Sequence, residues 1–427
     1  MLAVYPLATR PLLGLTGLQA QPRQVVLSAP RRVWPGRVNW VGGVQITYEL
    51  RTQIGVYRSG REQRIAQRLA PRKSLEYQML VNADDLRAYK NLMWHWQAYD
   101  LVMPEVTRFI ELPEAWPAGS QSLSLSAPPY WMQPGGAVVI GEGRQRQALT
   151  VLATEGDITH FDAATVQDWP AGTRLYPGLV GHLRSPTESQ RHTSDVATPT
   201  IRFQVLPLSE VPREPAAPKL MFDGREVFLT RPNWARQVSS ALGQEVDQLD
   251  YGTGQVSRYV AQMFGTETTS ATHTCATHAE ADALLDLYLR LRGQQGEAWV
   301  PTWEADFLLA ESQGAASDRF GVDDPDFAER YAGSPTHRAL FVRLADGTLL
   351  LRKVVDVIAS GGGAEIVVDA PWGVDLEPDQ VAMSGWLLLR RLGSDRLVIE
   401  WRTNGVAEAQ LNWRTLEALD ADDLEAP

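Results

Sequence analysis

Four groups of residues in this 427-residue chain carry side chains that chemistry could use. The string His273-Thr274-Cys275-Ala276-Thr277-His278 brings two imidazoles and a thiol close together. It lacks the fourth ligand and the ligand spacing of a zinc site, so polar residues at a strand end are the better reading. Asp318, Asp323, Asp324, Asp326 and Glu329 offer the hard oxygens that calcium takes. They lack the glycine and spacing of a calcium loop, and a solvated acidic loop accounts for them better. Paired carboxylates for glycoside hydrolysis are paired in space rather than in sequence, and nothing here promotes any one pair. Trp94-His95-Trp96, and Trp299 with Trp303, could stack on sugar rings, and 14 tryptophans make the idea worth weighing. Tryptophan serves more often as a core or interface anchor. The chain has no nucleophile elbow, phosphate-binding glycine loop or H-E-x-x-H helix. No catalytic residue, cofactor or metal site is therefore assigned, and a non-enzyme is expected.

Composition narrows the remaining classes. The single cysteine, Cys275, has no partner for an intrachain disulfide and cannot supply a cysteine-based metal cluster. A net charge of −11 argues against a surface that grips nucleic acid, which needs clustered Lys and Arg. It suits a wall that DNA passes without sticking, although acidic proteins are common. No apolar stretch is long enough for a membrane-spanning helix. Residues 1–30 are apolar in places (Leu2, Val4, Leu7, Leu12) but have no basic leader, and read as an N-terminal docking arm rather than a secretory signal.

The chain repeats itself. A shift of 194 residues carries Arg37, Asn39, Trp40, Val44, Tyr57, Gly60 and Arg64 onto Arg231, Asn233, Trp234, Val238, Tyr251, Gly254 and Arg258 without a gap. Later matches drift. Pro104 falls near Pro301, Phe161-Asp162-Ala163 near Val368-Asp369-Ala370, and Gly178 to Leu183 near Gly385 to Leu389. Val196, Ala197, Ile201 and Phe203 fall near Val406, Ala407, Leu411 and Trp413. A period this long indicates a duplicated domain rather than a solenoid.

The elements that must position these residues are mostly strands. Residues 44–58 alternate in part, as do Leu75, Tyr77, Met79 and Val81. A helix follows, with Asn82 as its cap, Asp84 and Asp85 in its first turn, and Leu86, Tyr89, Leu92, Met93 and Trp96 on one face. The second copy offers a helix from Thr277 or His278, with Ala281, Leu284, Leu285, Tyr288 and Leu291 inward and Gly293 as its end. Strands Leu340–Leu344, Leu349–Ile358 and Ile366–Val368, with turns at Asp346-Gly347 and Gly361-Gly362-Gly363, form a small β insert. Strands Ala137–Ile140, Leu149–Leu152 and Ile158–Phe161 form its counterpart. The expected fold is mainly β with some α.

The string Tyr57-Arg58-Ser59-Gly60-Arg61-Glu62-Gln63-Arg64, Arg72 ahead of an alternating strand, and the helix from Asp84 to Trp96 resemble the tail-tip proteins of long non-contractile-tailed phages and of gene transfer agents. The resemblance covers about 31–110, and reaches 221–310 through the repeat, where Gly254-Gln255-Val256-Ser257-Arg258 has lost the glutamate. It implies two tail-tube-like β-domains, 31–115 with 195–208 and 221–310 with 403–417. Each carries a helix and a small barrel or sandwich insert, at 116–194 and 336–402. A Pro-rich linker at 209–220, a loop at 311–335 and an acidic tail at 418–427 complete the plan. The implied role is a structural ring in the tail tip of the virion, assembled in the host cytoplasm. It would join a sixfold tail-tube protein to a threefold baseplate hub or receptor-binding tip, with DNA passing through the lumen unbound. Three copies of a duplicated chain would present six like domains, so a homotrimer is expected and a hexamer is the other possibility. The alternative is a carbohydrate-binding accessory protein of the tail or cell surface.

Overall fold

The computed structural model describes residues 32–418 except 58–61, 97–98, 208, 245 and 261–263. The expected docking arm and nearly all of the acidic tail lie outside the described residues, as does Gly60. The fold is mainly β, with three α-helices among the described residues. No helix among them is long and apolar enough to cross a membrane. The chain divides into two compact units, Tyr99–Gly181 with short flanking pieces, and the remainder.

The larger unit starts with β1 (Val44–Glu49), a hairpin of β2 (Thr52–Val56) and β3 (Glu62–Ala66), β4 (Arg72–Gln78) and α1 (Ala83–Trp96). Val44, Ile46 and Tyr48 alternate inward on β1, and Leu75 and Tyr77 do so on β4, which fixes the register of the pair. Asn82 ends the short strand Val81–Asn82, and the helix begins at Ala83.

The smaller unit holds β5 (Leu101–Pro104), β6 (Ala137–Glu142), β7 (Gln145–Glu155), β8 (Ile158–Phe161) and the start of β9 (Arg174–Leu183). Val138, Ile140, Leu149, Val151, Phe161 and Leu175 close its core with Trp116 and Trp169. Gly141 is obligatory there: its φ is 90°, and a Cβ would lie 2.6 Å from the Trp169 ring. The unit begins at Tyr99, earlier than the expected insert boundary at 116, because β5 pairs with β9 and segregates with the strands it joins.

The larger unit resumes with β10 (Ser189–Arg191) and β11 (Val196–Val205). Its second half holds β12 (Ser239–Gly243), the hairpin β13 (Val246–Asp250) and β14 (Val256–Val260), β15 (Thr266–Cys275), α2 (His278–Leu291) and β16 (Ala298–Pro301). Thr277 caps α2 by accepting from Glu280 N, while the Glu280 carboxylate takes Ala276 N at 2.7 Å. Arg292, in the left-handed region at φ 52°, ends the helix one residue before the expected Gly293.

A small β domain follows. It comprises β17 (Arg319–Val322), α3 (Phe327–Tyr331), β18 (Ala339–Leu344), β19 (Leu349–Ser360), β20 (Gly363–Val368) and β21 (Val381–Leu392). The stretch expected as a loop, 311–335, holds a short strand and a short helix within its irregular chain. Phe320, Val322 and Phe327 are buried with Trp372 and Trp386, so this stretch supplies core side chains beneath its polar exterior. The chain closes with β22 (Arg396–Trp401) and β23 (Ala407–Thr415). The expected linker is held down rather than standing alone: Arg213 pairs with Asp282 and Asp286 of α2, and Ala216 O accepts from Arg290.

One antiparallel run, β11-β4-β1-β22-β23-β15-β12, crosses both halves of the larger unit. Its two halves share local features. The pairs Thr52↔Ala66 and Val56↔Glu62 recur as Val246↔Val260 and Asp250↔Val256, all moved by 194. Asn39 N donates to Gln78 O at 2.8 Å, and Asn233 N donates to Thr272 O at 2.7 Å. Thr150 N binds Asp162 Oδ1 and Lys353 N binds Asp369 Oδ1, so both small β domains pin their hairpin with an aspartate. One sequence match shifts. Pro104 pairs with Gly178 and Pro301 pairs with Leu387, so the strand pairing sets Leu387, not Gly385, in the place that Gly178 holds beside Pro104.

Candidate assembly surface and an aromatic cavity

The repeated asparagines have the same local task. Asn39 Oδ1 accepts from Val41 N at 3.2 Å, and Asn233 Oδ1 from Ala235 N at 3.0 Å. Each side chain closes a turn that delivers the chain into the first strand of its half. Trp40 is half-buried, whereas Trp234 is 56% exposed. Arg37 and Arg231 are both exposed, and the Arg231 guanidinium lies over the Trp303 ring at 4.8 Å. Tyr57 and Tyr251 end the first arm of their hairpins and stand mostly in solvent. Tyr57 donates to Gln63 Oε1 at 3.1 Å. Gly254 takes φ 85° in the second hairpin turn.

The last pair of the signature separates the halves. Arg64 Nη2 binds Glu297 Oε2 at 2.8 Å, but Arg258 is exposed and has no ion pair among the described residues. Beside Arg64, Glu62 forms a two-pronged bond with Arg391, at 2.7 and 2.8 Å, with both side chains about nineteen-twentieths buried. Burial pushes the Glu62 carboxyl up, but the Arg391 hydrogen bond and the charges of Arg391, Arg414 and Arg64 outweigh it and hold it below the usual range. Thr52 N and Oγ1 bind the Asp395 carboxylate at 2.5 and 2.8 Å. The first hairpin is thus docked on the second half of the chain, and its partners there, Glu297, Arg391 and Asp395, are residues the sequence did not single out.

The strands beneath complete this joint. β1 pairs with β22 along its whole length, from Val44↔Trp401 to Glu49↔Arg396. The buried Tyr288 hydroxyl accepts from Leu50 N at 2.9 Å and donates to Asp395 O at 2.6 Å. Burial, with Asp395 and Glu49 nearby, keeps that phenol protonated far above its ordinary range.

A cavity of about 230 Å³ lies in the second half of the larger unit, between Trp234, Trp303, Trp386, Glu267, Glu304 and Arg390. Arg390 Nη2 meets Glu267 at 2.5 Å. Burial raises Asp306 and Glu304 above ordinary carboxylates, and lowers His273 and His337 to about 4, so both imidazoles are neutral at pH 7. His273 Nε2, the Trp303 and Trp386 indole nitrogens and Arg390 Nε are buried with no hydrogen-bond partner among the described residues. Chemically the cavity offers donors, an aromatic wall and acids. Its residues come from across the second half, so no local motif announced it.

The other sequence candidates do not converge. His273 is buried and takes Arg231 O at 3.1 Å, Cys275 is buried with its thiol pushed up to about 11 by burial and Glu280, and His278 packs on Trp401 at 4.7 Å. Asp324 pairs with Arg330. No group of three or more His, Cys, Asp or Glu among the described residues could hold a metal ion. Trp299 is buried, Trp94 is 83% exposed, and Trp303, also weighed for sugar stacking, lines the cavity. No protein family and no curated protein matches the sequence.

Proposed function

We propose that this chain is a tandem duplication that serves as a structural ring in a phage tail tip. It would join a sixfold tail-tube protein to a threefold hub or receptor-binding tip. The observation that carries the reading is the paired architecture: two halves with hairpins of identical register lie side by side in one continuous sheet. A chain that already holds two like domains edge to edge is one-third of a pseudo-sixfold ring, and three copies match both symmetries. The acidic surface, net −11, favours passage of DNA without specific binding. The test is particle mass by light scattering with class averages of stained particles. A closed trimer with six lobes around a hole supports the reading, and a hexamer or a stable monomer counts against it.

The cavity favours a second reading, a carbohydrate-binding accessory protein, because an aromatic wall of Trp234 and Trp303 beside the carboxylates of Glu304 and Asp306 suits a sugar ring. Retention on a polysaccharide that is lost in Trp303→Ala would move this reading to first place.

A further inference from the structure

The joint between the two halves is made once within the chain, and its parts occur a second time unused. β22, which receives β1, lies against β23 through Ile399↔Ala409, Glu400↔Glu408 and Trp401↔Ala407. β10 lies against β11 through Ser189↔Pro199, Gln190↔Thr198 and Arg191↔Ala197, each residue moved by 210. The turns that follow agree as well. His192 N and Thr193 N reach Val196 O at 2.9 and 3.3 Å, and Arg402 N and Thr403 N reach Val406 O at 2.9 and 3.4 Å. β10 is therefore the first half's copy of the receiving strand. Its other edge bears no strand among the described residues, and all three of its residues are exposed.

The inserting strand is also duplicated. β12 stands where β1 stands, 194 residues on, and pairs only with β15 among the described residues. Tyr48 of β1 is 9% exposed, whereas Leu242, at the matching place, is 82% exposed. The hairpin beyond it carries Val246, Leu249, Val256 and Tyr259, each more than 40% exposed. In the first half the matching hairpin is docked on the joint. An open edge beside an exposed apolar hairpin is a template for strand addition and a hazard if left bare.

We propose that β12 and the β13–β14 hairpin dock on the β10 edge of a second copy of this chain, repeating the β1–β22 joint between molecules. The register follows from the correspondence: Ser239 lies opposite Gln190 of the second copy, as Gln45 lies opposite Glu400 within the chain. The contact is head-to-tail, so each copy offers one inserting and one receiving edge, and repetition closes a ring or grows a filament. Closure at three copies rests on the ring reading above.

The test uses the full chain. Ser239→Cys with Gln190→Cys places thiols on directly opposed strand positions, at the separation a disulfide spans. Cys275 is buried and does not compete. Oxidation is expected to give covalent species up to the trimer on a non-reducing gel, with neither single variant doing so. Independently, Leu242→Lys with Leu249→Lys, both at exposed positions, is expected to shift the particle mass from trimer to monomer. A trimer that forms no cross-link and survives the lysine substitutions overturns this interface while leaving the ring reading standing. Cross-linked open chains of other lengths support the interface and remove the trimer. A wild-type chain that stays monomeric at every concentration, together with a double-cysteine variant that does not cross-link, overturns the interface and leaves the ring without support.

Discussion

The two hairpins share a register and differ in what covers them. The first spends its polar residues on the neighbouring half: Glu62 on Arg391, Arg64 on Glu297 and Thr52 on Asp395. The second has valine at the positions of Glu62 and Thr52, namely Val256 and Val246, both partly in solvent. A polar joint suits a contact formed once with an attached partner, where unpaired charges are never left buried. An apolar face suits a contact that must be made by association, where burial supplies the driving force.

The comparison breaks most sharply at Glu62→Val, which gives the first hairpin the second hairpin's residue. It strands the buried Arg391 and should cost about 3–5 kcal/mol in denaturant unfolding. Val256→Glu should leave the isolated chain within about 0.5 kcal/mol of wild type. If the two effects are equal, the asymmetry of the hairpins is not energetic.

Acid should separate the cavity from the joint. His273 and His337 are lowered to about 4 from an ordinary 6.5, so the unfolded chain takes up protons first, and their contribution to stability falls as pH drops from 6.5 towards 4. Glu62 is lowered from 4.5, so its contribution is intact above that value and is lost as pH falls through its folded value. Unfolding curves at stepped pH should show two phases of loss, and His273→Phe should reduce only the upper one.

Tyr288→Phe removes the hydroxyl that serves Leu50 N and Asp395 O, and should cost about 1–3 kcal/mol. The smallest effects belong to the turn asparagines. Asn39→Ala and Asn233→Ala should each lose about 1 kcal/mol. Equal losses would sharpen the correspondence of the two halves, and a loss at Asn39 alone would weaken it.

Much of this was legible because it is local. Alternation placed β1, β4 and the strands of the small β domain, and apolar spacing placed both helices. Asn39 and Asn233 stood out because a turn fixes residue type within a few positions. The joint was hidden because alternation on Val44, Ile46 and Tyr48 says which face is buried but not which strand lies alongside. β10, three polar residues long, carries no strand signal at all. The 311–335 stretch misled by composition, since its serines and aspartates outnumber Phe320 and Phe327, yet those two phenylalanines decide its burial.

The β1–β22 pairing also sets a schedule for synthesis. The strand that covers β1 lies near residue 400, so the edge of the first half stays open until the ~350 residues between the two strands have been translated. At about 5–20 residues per second, the wait for those ~350 residues is roughly 20–70 s. Throughout it, the nascent chain displays the same kind of bare edge that β12 displays when folding is complete. Crowded ribosomes making neighbouring copies would therefore be the place where wrong partners are first met, and where a chaperone would have the most to guard.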